Sequence, residues 1–221
     1  MELDCVDRID RDVLDQEIAR LSAEVVKSMG APDVRESLGR QGFEVSIAPV
    51  TSEGRVDPAT IAELVGHRTI LVSVMTVNNE IGTIQDLKTI GDAVRDKNAH
   101  TLVHTDAVQA LGNVPVDLHA WGVDLAAFAA HKLGGPKGVG ALFVRSGVAV
   151  DPTVHGGGQE RGLRSGTLNV AGIAGFGLAA LVTDTTADLE EYNYTRALER
   201  TASGAPSEPA RCGPTRSWCA I

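Results

Sequence analysis

Asp124-Leu-Ala-Ala-Phe-Ala-Ala-His-Lys132 runs directly into Leu133-Gly-Gly-Pro-Lys-Gly138. The apolar part of this stretch is short and follows an aspartate, which predicts a β-strand. The glycines and the proline end the strand, so His131 and Lys132 are predicted at its carboxyl end. A buried strand that brings polar side chains to its carboxyl end is typical of a ligand-binding α/β sheet.

Short apolar runs of the same kind alternate with amphipathic stretches between residues 43 and 145. The predicted strands are Phe43–Ala48, Thr69–Met75, Thr101–His104, Val123–Phe128 and Gly140–Val144. The predicted helices are Asp57–Val65, with a proline at an N1-like position, and Asp86–Lys97, with apolar residues at helical spacing. This alternation predicts βαβ units and hence an α/β fold with a mostly parallel sheet and flanking helices.

The composition says more about possible binding partners than about the fold. The chain has 221 residues, of which 43% are hydrophobic, and this is enough for one large domain with its own core. The formal net charge is -9, and no basic cluster offsets it, which argues against a nucleic-acid or anionic-membrane surface. We therefore expect a small molecule or another protein as the partner.

The sequence shows no pattern of export or membrane insertion. Its longest apolar stretch, Val170–Val182, is interrupted by three glycines and is too short to span a bilayer. Residues Met1–Arg8 have neither the basic start nor the apolar run of a secretory signal. A cytoplasmic location is the resulting expectation.

The two ends of the chain differ from its middle. Residues 1–32 predict a charged helical segment, and residues 184–221 predict a short helix, Ala187–Arg200, followed by a disordered tail. The three cysteines all lie in these ends: Cys5, Cys212 and Cys219. Their odd number and wide spacing favour exposed thiols over a disulfide framework or a metal site.

Polar side chains follow three successive predicted strands. They are Asn78–Gly82, Asp106–Gln109 and His131–Lys132. Parallel strands place all three groups at one edge of the sheet, which is where ligands bind in such folds. A lysine in a Gly-rich loop, with an acid and an amide upstream, is what a Schiff-base cofactor requires. The pattern therefore indicates a site for pyridoxal 5′-phosphate (PLP).

Each candidate side chain suits one part of PLP and also has a local alternative. A carboxylate at Asp106 would keep the pyridine nitrogen protonated, and Asn79 and Gln109 are neutral donors suited to the phenolic oxygen. Locally, Asp106 would be a helix N-cap and Gln109 an exposed helical side chain. Asn78 and Asn79 would form a turn, and Lys132 would be a solvated lysine. The three strand ends together favour the cofactor site.

A fourth stretch, His155–Asn169, carries three consecutive glycines after the histidine. Glycine lets backbone amides approach an anion closely, and Arg164, Ser165 and Thr167 would add charge and hydroxyl donors for a phosphate. The alternative is a flexible linker into an apolar helix that begins near Leu168. The pattern Arg-x-x-Arg-Ser-Gly-Thr after the glycines favours the phosphate interpretation.

Four stretches keep the order and approximate spacing of a known family: Val77–Gly82, His104–Gln109, His131–Lys132 with Gly135–Gly140, and His155–Thr167. They resemble the class V, NifS-like group of PLP enzymes, the cysteine desulfurases and selenocysteine lyases. The resemblance implies that residues 33–183 form the large-domain core of a fold type I PLP-dependent transferase.

The resemblance also implies a set of cofactor contacts: Asn79, Asp106, Gln109, His131, Lys132 and Thr167. Lys132 would be the catalytic residue, which forms the Schiff base with PLP and moves the α-proton of the substrate. His131 is similar to the family's phosphate-site histidine. Thr167 is similar to the threonine that reaches the phosphate of the other subunit's cofactor, and this implies a homodimer.

The implied reaction removes sulfur from L-cysteine and leaves L-alanine and an enzyme-bound persulfide. The sulfur would then pass to an acceptor protein for iron-sulfur cluster assembly or tRNA modification. The sequence departs from the family pattern, because Ala129 stands where the family has a serine. The Gly-Thr phosphate turn, the Glu-His pair that stacks on the ring and the C-terminal domain with its cysteine loop have no counterpart.

These departures leave three hypotheses open. The first is a cysteine desulfurase whose activity is reduced or lost. The second is a non-catalytic core that pairs with a full-length homologue. The third is a class V aminotransferase or lyase, which needs no cysteine nucleophile.

Overall fold

The structure is a computed structural model and describes residues 37–183. The predicted N-terminal helical segment, the predicted helix Ala187–Arg200, the tail and the three cysteines lie outside the described residues. Residues 37–40 are helical. The further elements, in chain order, are α1 Pro58–Leu64, β1 Leu71–Met75, α2 Leu87–Lys97, β2 Leu102–Asp106, α3 Leu118–Trp121, β3 Leu125–Ala129, a 3₁₀ turn Ala130–Leu133, β4 Gly140–Val144, a second 3₁₀ turn Glu160–Gly162, and α4 Val170–Val182.

The four strands form a mixed, mostly parallel sheet in the order β1-β2-β3-β4, with helices flanking it. Leu102 N–H donates to Ile70 O at one end of β1 and β2, and Thr76 N–H donates to Asp106 O at the other. Residue numbers therefore rise together along both strands, as parallel pairing requires. Only β4 is antiparallel to its neighbour β3. The predicted α/β fold class is confirmed.

One predicted strand is wrong. Residues 43–49 have no regular secondary structure, and the nearest pairing is an isolated bridge between Val50 and Val56. The alternating apolar residues have a local cause, because Phe43 packs with Leu38 in a small cluster that Val45 also joins. Phe43 N–H donates back to Leu38 O at 3.1 Å, which closes the turn after the helix. Phe43 and Val45 are thus apolar because they pack against that turn, and this gives the segment the alternating hydrophobic pattern of a strand.

The described residues divide into two compact units, of which the first comprises residues 37–74 and 89–104. The side chain of Asp57 caps α1 by accepting from the N–H of Ala59 at 3.1 Å, and Pro58 occupies the first turn. After α2, the Asn98 amide donates to the carbonyls of Gly66 and Thr69, at 3.1 Å each. These bonds fix the chain just before β1 and β2 begin. Buried apolar side chains of this unit include Ile61, Leu71, Val74, Ile90, Val94 and Val103.

Within the described residues, the second unit comprises residues 75–88 and 105–183. In it, β3 and β4 pair in a register that runs from Leu125 opposite Val144 to Ala129 opposite Gly140. Buried apolar side chains of this unit include Val77, Leu87, Ala107, Ala110, Val123, Ala126, Phe128 and Phe176. All the candidate cofactor residues predicted from the sequence belong to this unit.

The helices within residues 37–183 are too short or too polar to cross a membrane. The longest of them, α4, has 13 residues. A bilayer span needs about 20 apolar residues.

Candidate active site

Asp106 is the last residue of β2, and hydrogen bonds fix the backbone on both sides of it. Its own carbonyl accepts from Thr76 N–H at 2.9 Å, and Ala107 N–H donates to Ala127 O in β3 at 2.9 Å. The half-buried carboxylate accepts from Val108 N–H through Oδ1 at 2.9 Å. The local alternative for Asp106 is thus partly realised, because one oxygen caps the next turn. The other oxygen, Oδ2, makes no hydrogen bond within the described residues.

Buried hydroxyls reinforce this strand end. Thr76 Oγ1 and Thr105 Oγ1 lie 2.7 Å apart, and the two residues are 1% and 0% exposed. Thr76 is the residue whose N–H bonds Asp106, and Thr105 directly precedes Asp106. The hydroxyl pair therefore holds the end of β1 against the end of β2. Sequence reasoning missed this pair, because its members are 29 residues apart.

Asn78 and Asn79 lie in a turn that Val77 and Ile84 close by an antiparallel bridge. Asn78 Oδ1 accepts from the N–H groups of Glu80 and Ile81, at 2.9 and 3.0 Å. The turn-forming interpretation is thus correct for Asn78. The Asn79 side chain is exposed and makes no hydrogen bond within the described residues, so its amide is available to a ligand.

Gln109 lies in the turn that follows Asp106. Ala107 O accepts from the N–H of Ala110 at 3.0 Å, which closes the turn, and Asn113 Nδ2 donates to Gln109 O at 3.1 Å. The backbone of Gln109 is therefore held, while its half-buried side-chain amide makes no hydrogen bond among residues 37–183.

Lys132 lies in the 3₁₀ turn Ala130–Leu133, which we call the lysine turn. Ala130 is fully buried, whereas His131 and Lys132 are exposed. Gly134 ends the turn with a left-handed φ of 72°, and Gly135 passes so close that a Cβ there would lie 2.9 Å from Ala130 O. The glycines thus let the chain fold back under the turn and leave the lysine amine open to a ligand.

The helix α4 packs on the lysine turn through small residues. A Cβ on Gly135 would lie 3.2 Å from Ala179 Cβ. A Cβ on Gly175 would lie 2.6 Å from Cγ of Pro136. The helix can therefore approach only because these positions lack side chains.

The stretch His155–Thr167, which we call the glycine loop, is closed by two hydrogen bonds of its own. Ser165 Oγ accepts from Gly158 N–H at 3.3 Å, and Gln159 Oε1 accepts from Gly166 N–H at 2.9 Å. Ser165 is 3% exposed, so its hydroxyl faces the interior of the loop. The next side chain to reach the surface is Thr167, which is exposed. Sequence reasoning named Ser165 as a phosphate donor and overlooked Gln159, whose only signal is its place directly after three glycines.

The candidate residues lie in two regions of the second unit, the strand ends and the glycine loop. Asp106 is the last residue of β2 and the lysine turn follows β3, and these two strands are neighbours in the sheet. No hydrogen bond or ion pair within residues 37–183 joins the glycine loop to Asp106, His131 or Lys132. The groups at the strand ends fit PLP. Among residues 37–183, an exposed amine, a carboxylate oxygen without a donor and two amides without a partner match its aldehyde, pyridine nitrogen and phenolic oxygen.

A mostly parallel sheet with a lysine in the turn after one strand and a fixed carboxylate at the end of its neighbour has the architecture of a fold type I PLP-dependent transferase. Residues 33–203 match the family model for aminotransferase class V. The match covers most of the chain, and the chain belongs to this family. Its members are PLP-dependent in general.

Curated relatives refine the resemblance. A cysteine desulfurase IscS from Methanosarcina thermophila is 48% identical over 155 residues, which are 70% of this chain and 37% of that protein. One from Clostridium botulinum is 50% identical over 142 residues, which are 64% of this chain and 35% of that protein. The chain thus spans little more than a third of the length of these relatives.

Solved structures agree with the fold. A NifS-like protein superposes with a TM-score of 0.70 and 42% identity, covering 77% of this chain and 48% of that one. The structure of SspA in complex with cysteine gives a TM-score of 0.69 and 29% identity, covering 81% and 54%. The predicted NifS-like family resemblance is confirmed.

Proposed function

We propose that this chain carries the PLP-binding half of a cysteine desulfurase site and takes sulfur from L-cysteine. The observation that carries the proposal is the exposed Lys132 on a rigid turn, beside a strand end that fixes Asp106. The named activity of relatives that are about half identical to the chain supports the choice of substrate.

In this proposal, the ε-amine of Lys132 would hold the cofactor at its aldehyde group and would move the proton at Cα of the substrate. Asp106 accepts the pyridinium N–H through Oδ2, the oxygen that is not engaged by Val108 N–H. When bound, PLP supplies an electron sink for the negative charge that develops at Cα. The ionised carboxylate keeps that sink effective, because a charged partner strengthens the hydrogen bond.

The other candidate residues orient the cofactor. Asn79 and Gln109 donate to the phenolic oxygen through side-chain amides that make no hydrogen bond in the described part of the chain. His131, next to the lysine, holds the phosphate. Thr167 lies outside the hydrogen-bond network of the lysine turn, which favours a role toward the cofactor of a second subunit. We therefore propose that residues 33–183 act as the cofactor-holding core of a dimer.

The reaction breaks the Cβ–S bond of L-cysteine. An acceptor thiol takes the sulfur atom and becomes a persulfide, while Cβ and Cα each end with a proton, so that the carbon product is L-alanine. The proposed partner is an acceptor protein of sulfur metabolism. In vitro, a small dithiol supplies the acceptor thiol.

The test is to titrate the full chain with PLP, reduce it with borohydride and map the modified peptide. We expect a yellow Schiff-base absorbance and an adduct on Lys132. Lys132→Ala should abolish both. Lys137→Ala is the matched control, because Lys137 is exposed and lies five residues further along the same loop; this variant should bind as the parent does.

Product analysis then decides the reaction. Alanine and sulfide from L-cysteine, in the presence of the dithiol, would support the desulfurase. Amino transfer to a keto acid without sulfide would replace it with a class V aminotransferase. An adduct that forms only after a full-length class V homologue is added would identify the chain as a pairing core. The absence of any adduct on Lys132 under all these conditions would refute the proposal.

A further inference from the structure

We infer that Gln159 is a positioning residue, which acts through the Gly166 amide to hold Thr167 where it can bind the cofactor phosphate. The inference rests on the proposed function, because it assigns the phosphate contact to Thr167. Gln159 itself would make no cofactor contact and would affect PLP binding only through Gly166 and Thr167.

The hydrogen bond that carries the inference joins residues seven apart in the chain. Gln159 Oε1 accepts from Gly166 N–H at 2.9 Å, and Gly166 is the residue directly before Thr167. Gly166 has a positive φ of 110°, a backbone conformation that residues other than glycine rarely adopt. The direction in which the chain leaves Gly166 toward Thr167 therefore depends on what holds its amide, and that group is Gln159.

The loop makes room for this contact. A Cβ on Gly157 would lie 2.9 Å from Gln159 Nε2 and 3.0 Å from Oε1, so the glycine leaves space for the amide. Between the two bonded residues, Glu160 and Arg161 take φ values of 49° and 58°, the only left-handed non-glycine residues in the described part of the chain. Such conformations persist when surrounding contacts impose them, and they cluster at functional sites.

Ser165 provides the internal comparison. Its hydroxyl accepts from Gly158 N–H, and its own N–H donates to Val154 O at 3.1 Å. Because Ser165 is 3% exposed, these bonds hold the closed form of the loop itself. Gln159 is less buried and bonds the exit of the loop, so its loss should affect Thr167 more than the stability of the loop.

The experiment is a double-mutant cycle on PLP affinity, measured by absorbance with the full chain. Gln159→Ala should weaken PLP binding about 3- to 10-fold, the loss expected for one hydrogen bond. In a Thr167→Ala background, the same substitution should have less than about a 2-fold further effect, since residues that act through one contact are not additive. Gln159→Glu keeps an acceptor oxygen and should restore affinity to within about 2-fold of the parent.

A second measurement does not require the cofactor. Hydrogen exchange of the Gly166 amide should be faster in Gln159→Ala and near the parent rate in Gln159→Glu. If the parent binds PLP but the two substitutions weaken binding additively, or if Gln159→Ala leaves Gly166 exchange unchanged, the inference is overturned and the proposed function stands. A parent chain without any PLP adduct on Lys132 would overturn both.

Discussion

The strand ends around Asp106 and the glycine loop both present polar side chains, but they are held in different ways. At the strand ends, backbone bonds between neighbouring strands fix Asp106, and buried threonine hydroxyls support them. In the glycine loop, two side-chain acceptors, Gln159 and Ser165, bind backbone amides of the same loop. The conformation of the strand ends therefore depends on hydrogen bonds between strands, and that of the glycine loop on hydrogen bonds within the loop.

This difference separates what a substitution should do in each region. A change at the strand ends that removes a bond between strands should lower the stability of the whole unit. A change in the glycine loop should act locally, because its two hydrogen bonds are only partly buried and join residues of the same loop. Function can be separated from stability only where chemistry and support use different atoms, and Asp106 is such a case.

The largest expected effect is that of Asp106→Asn on turnover. Asparagine keeps the Oδ1 acceptor for Val108 N–H, so the turn and the melting temperature should change little. The variant lacks the charge that the proposed mechanism needs, and loss of one such electrostatic contact typically costs about 100-fold or more in kcat. Steady-state kinetics with L-cysteine, with PLP affinity and thermal melting measured in parallel, check this.

Asp106→Ala is the comparison for that variant. It removes the acceptor as well as the charge, so it should lose stability in addition to activity. If Asp106→Asn turns over at the parent rate, Asp106 does not pair with the pyridinium and serves only as a cap.

Much of the strand-end region could be predicted from the sequence, because its signals are local and periodic. Asp124 before an apolar run and Gly134 after it place β3 to within two residues: it is predicted over Val123–Phe128 and observed over Leu125–Ala129. The predicted end of β2 is also two residues off, since the strand extends to Asp106 rather than His104. The reason is the bond from Thr76 N–H to Asp106 O, a contact between distant residues that no pattern encodes.

For the glycine loop, the sequence predicted a type of site from its composition and did not predict the contacts that form it. Three glycines and two arginines favoured an anion site, and they did not show that the Ser165 hydroxyl faces inward. The contacts that close the loop join side chains to amides seven residues away, a spacing without any regular period. The strand prediction at Phe43 failed for the opposite reason. The segment has the hydrophobic alternation of a strand, but packing against Leu38 produces that alternation.

The next effect concerns α4, which follows the glycine loop in the chain and packs on the lysine turn. Gly175→Ala places a Cβ 2.6 Å from Pro136 Cγ and should destabilise the protein by about 1 to 3 kcal/mol. Gly177→Ala is the matched control, because a Cβ there meets nothing within 4 Å. In a helix interior this control should stabilise by about 0.5 to 1 kcal/mol. Denaturant unfolding of the two variants measures both. Equal effects would mean that α4 does not pack closely on Pro136.

The smallest expected difference compares one hydroxyl from each region. Thr105→Val removes a partner of the Thr76 hydroxyl, which is 1% exposed, and should cost about 1 to 2 kcal/mol because a buried polar group loses its bond. Ser165→Ala removes the acceptor for Gly158 N–H, which is exposed and can bond water, so it should cost about 0.5 kcal/mol. Unfolding free energies rank the two, and hydrogen exchange should show faster opening of residues 156–166 only in the serine variant. If Ser165→Ala costs as much as Thr105→Val, the glycine loop is part of the cooperative core, and the contrast between the two regions does not hold.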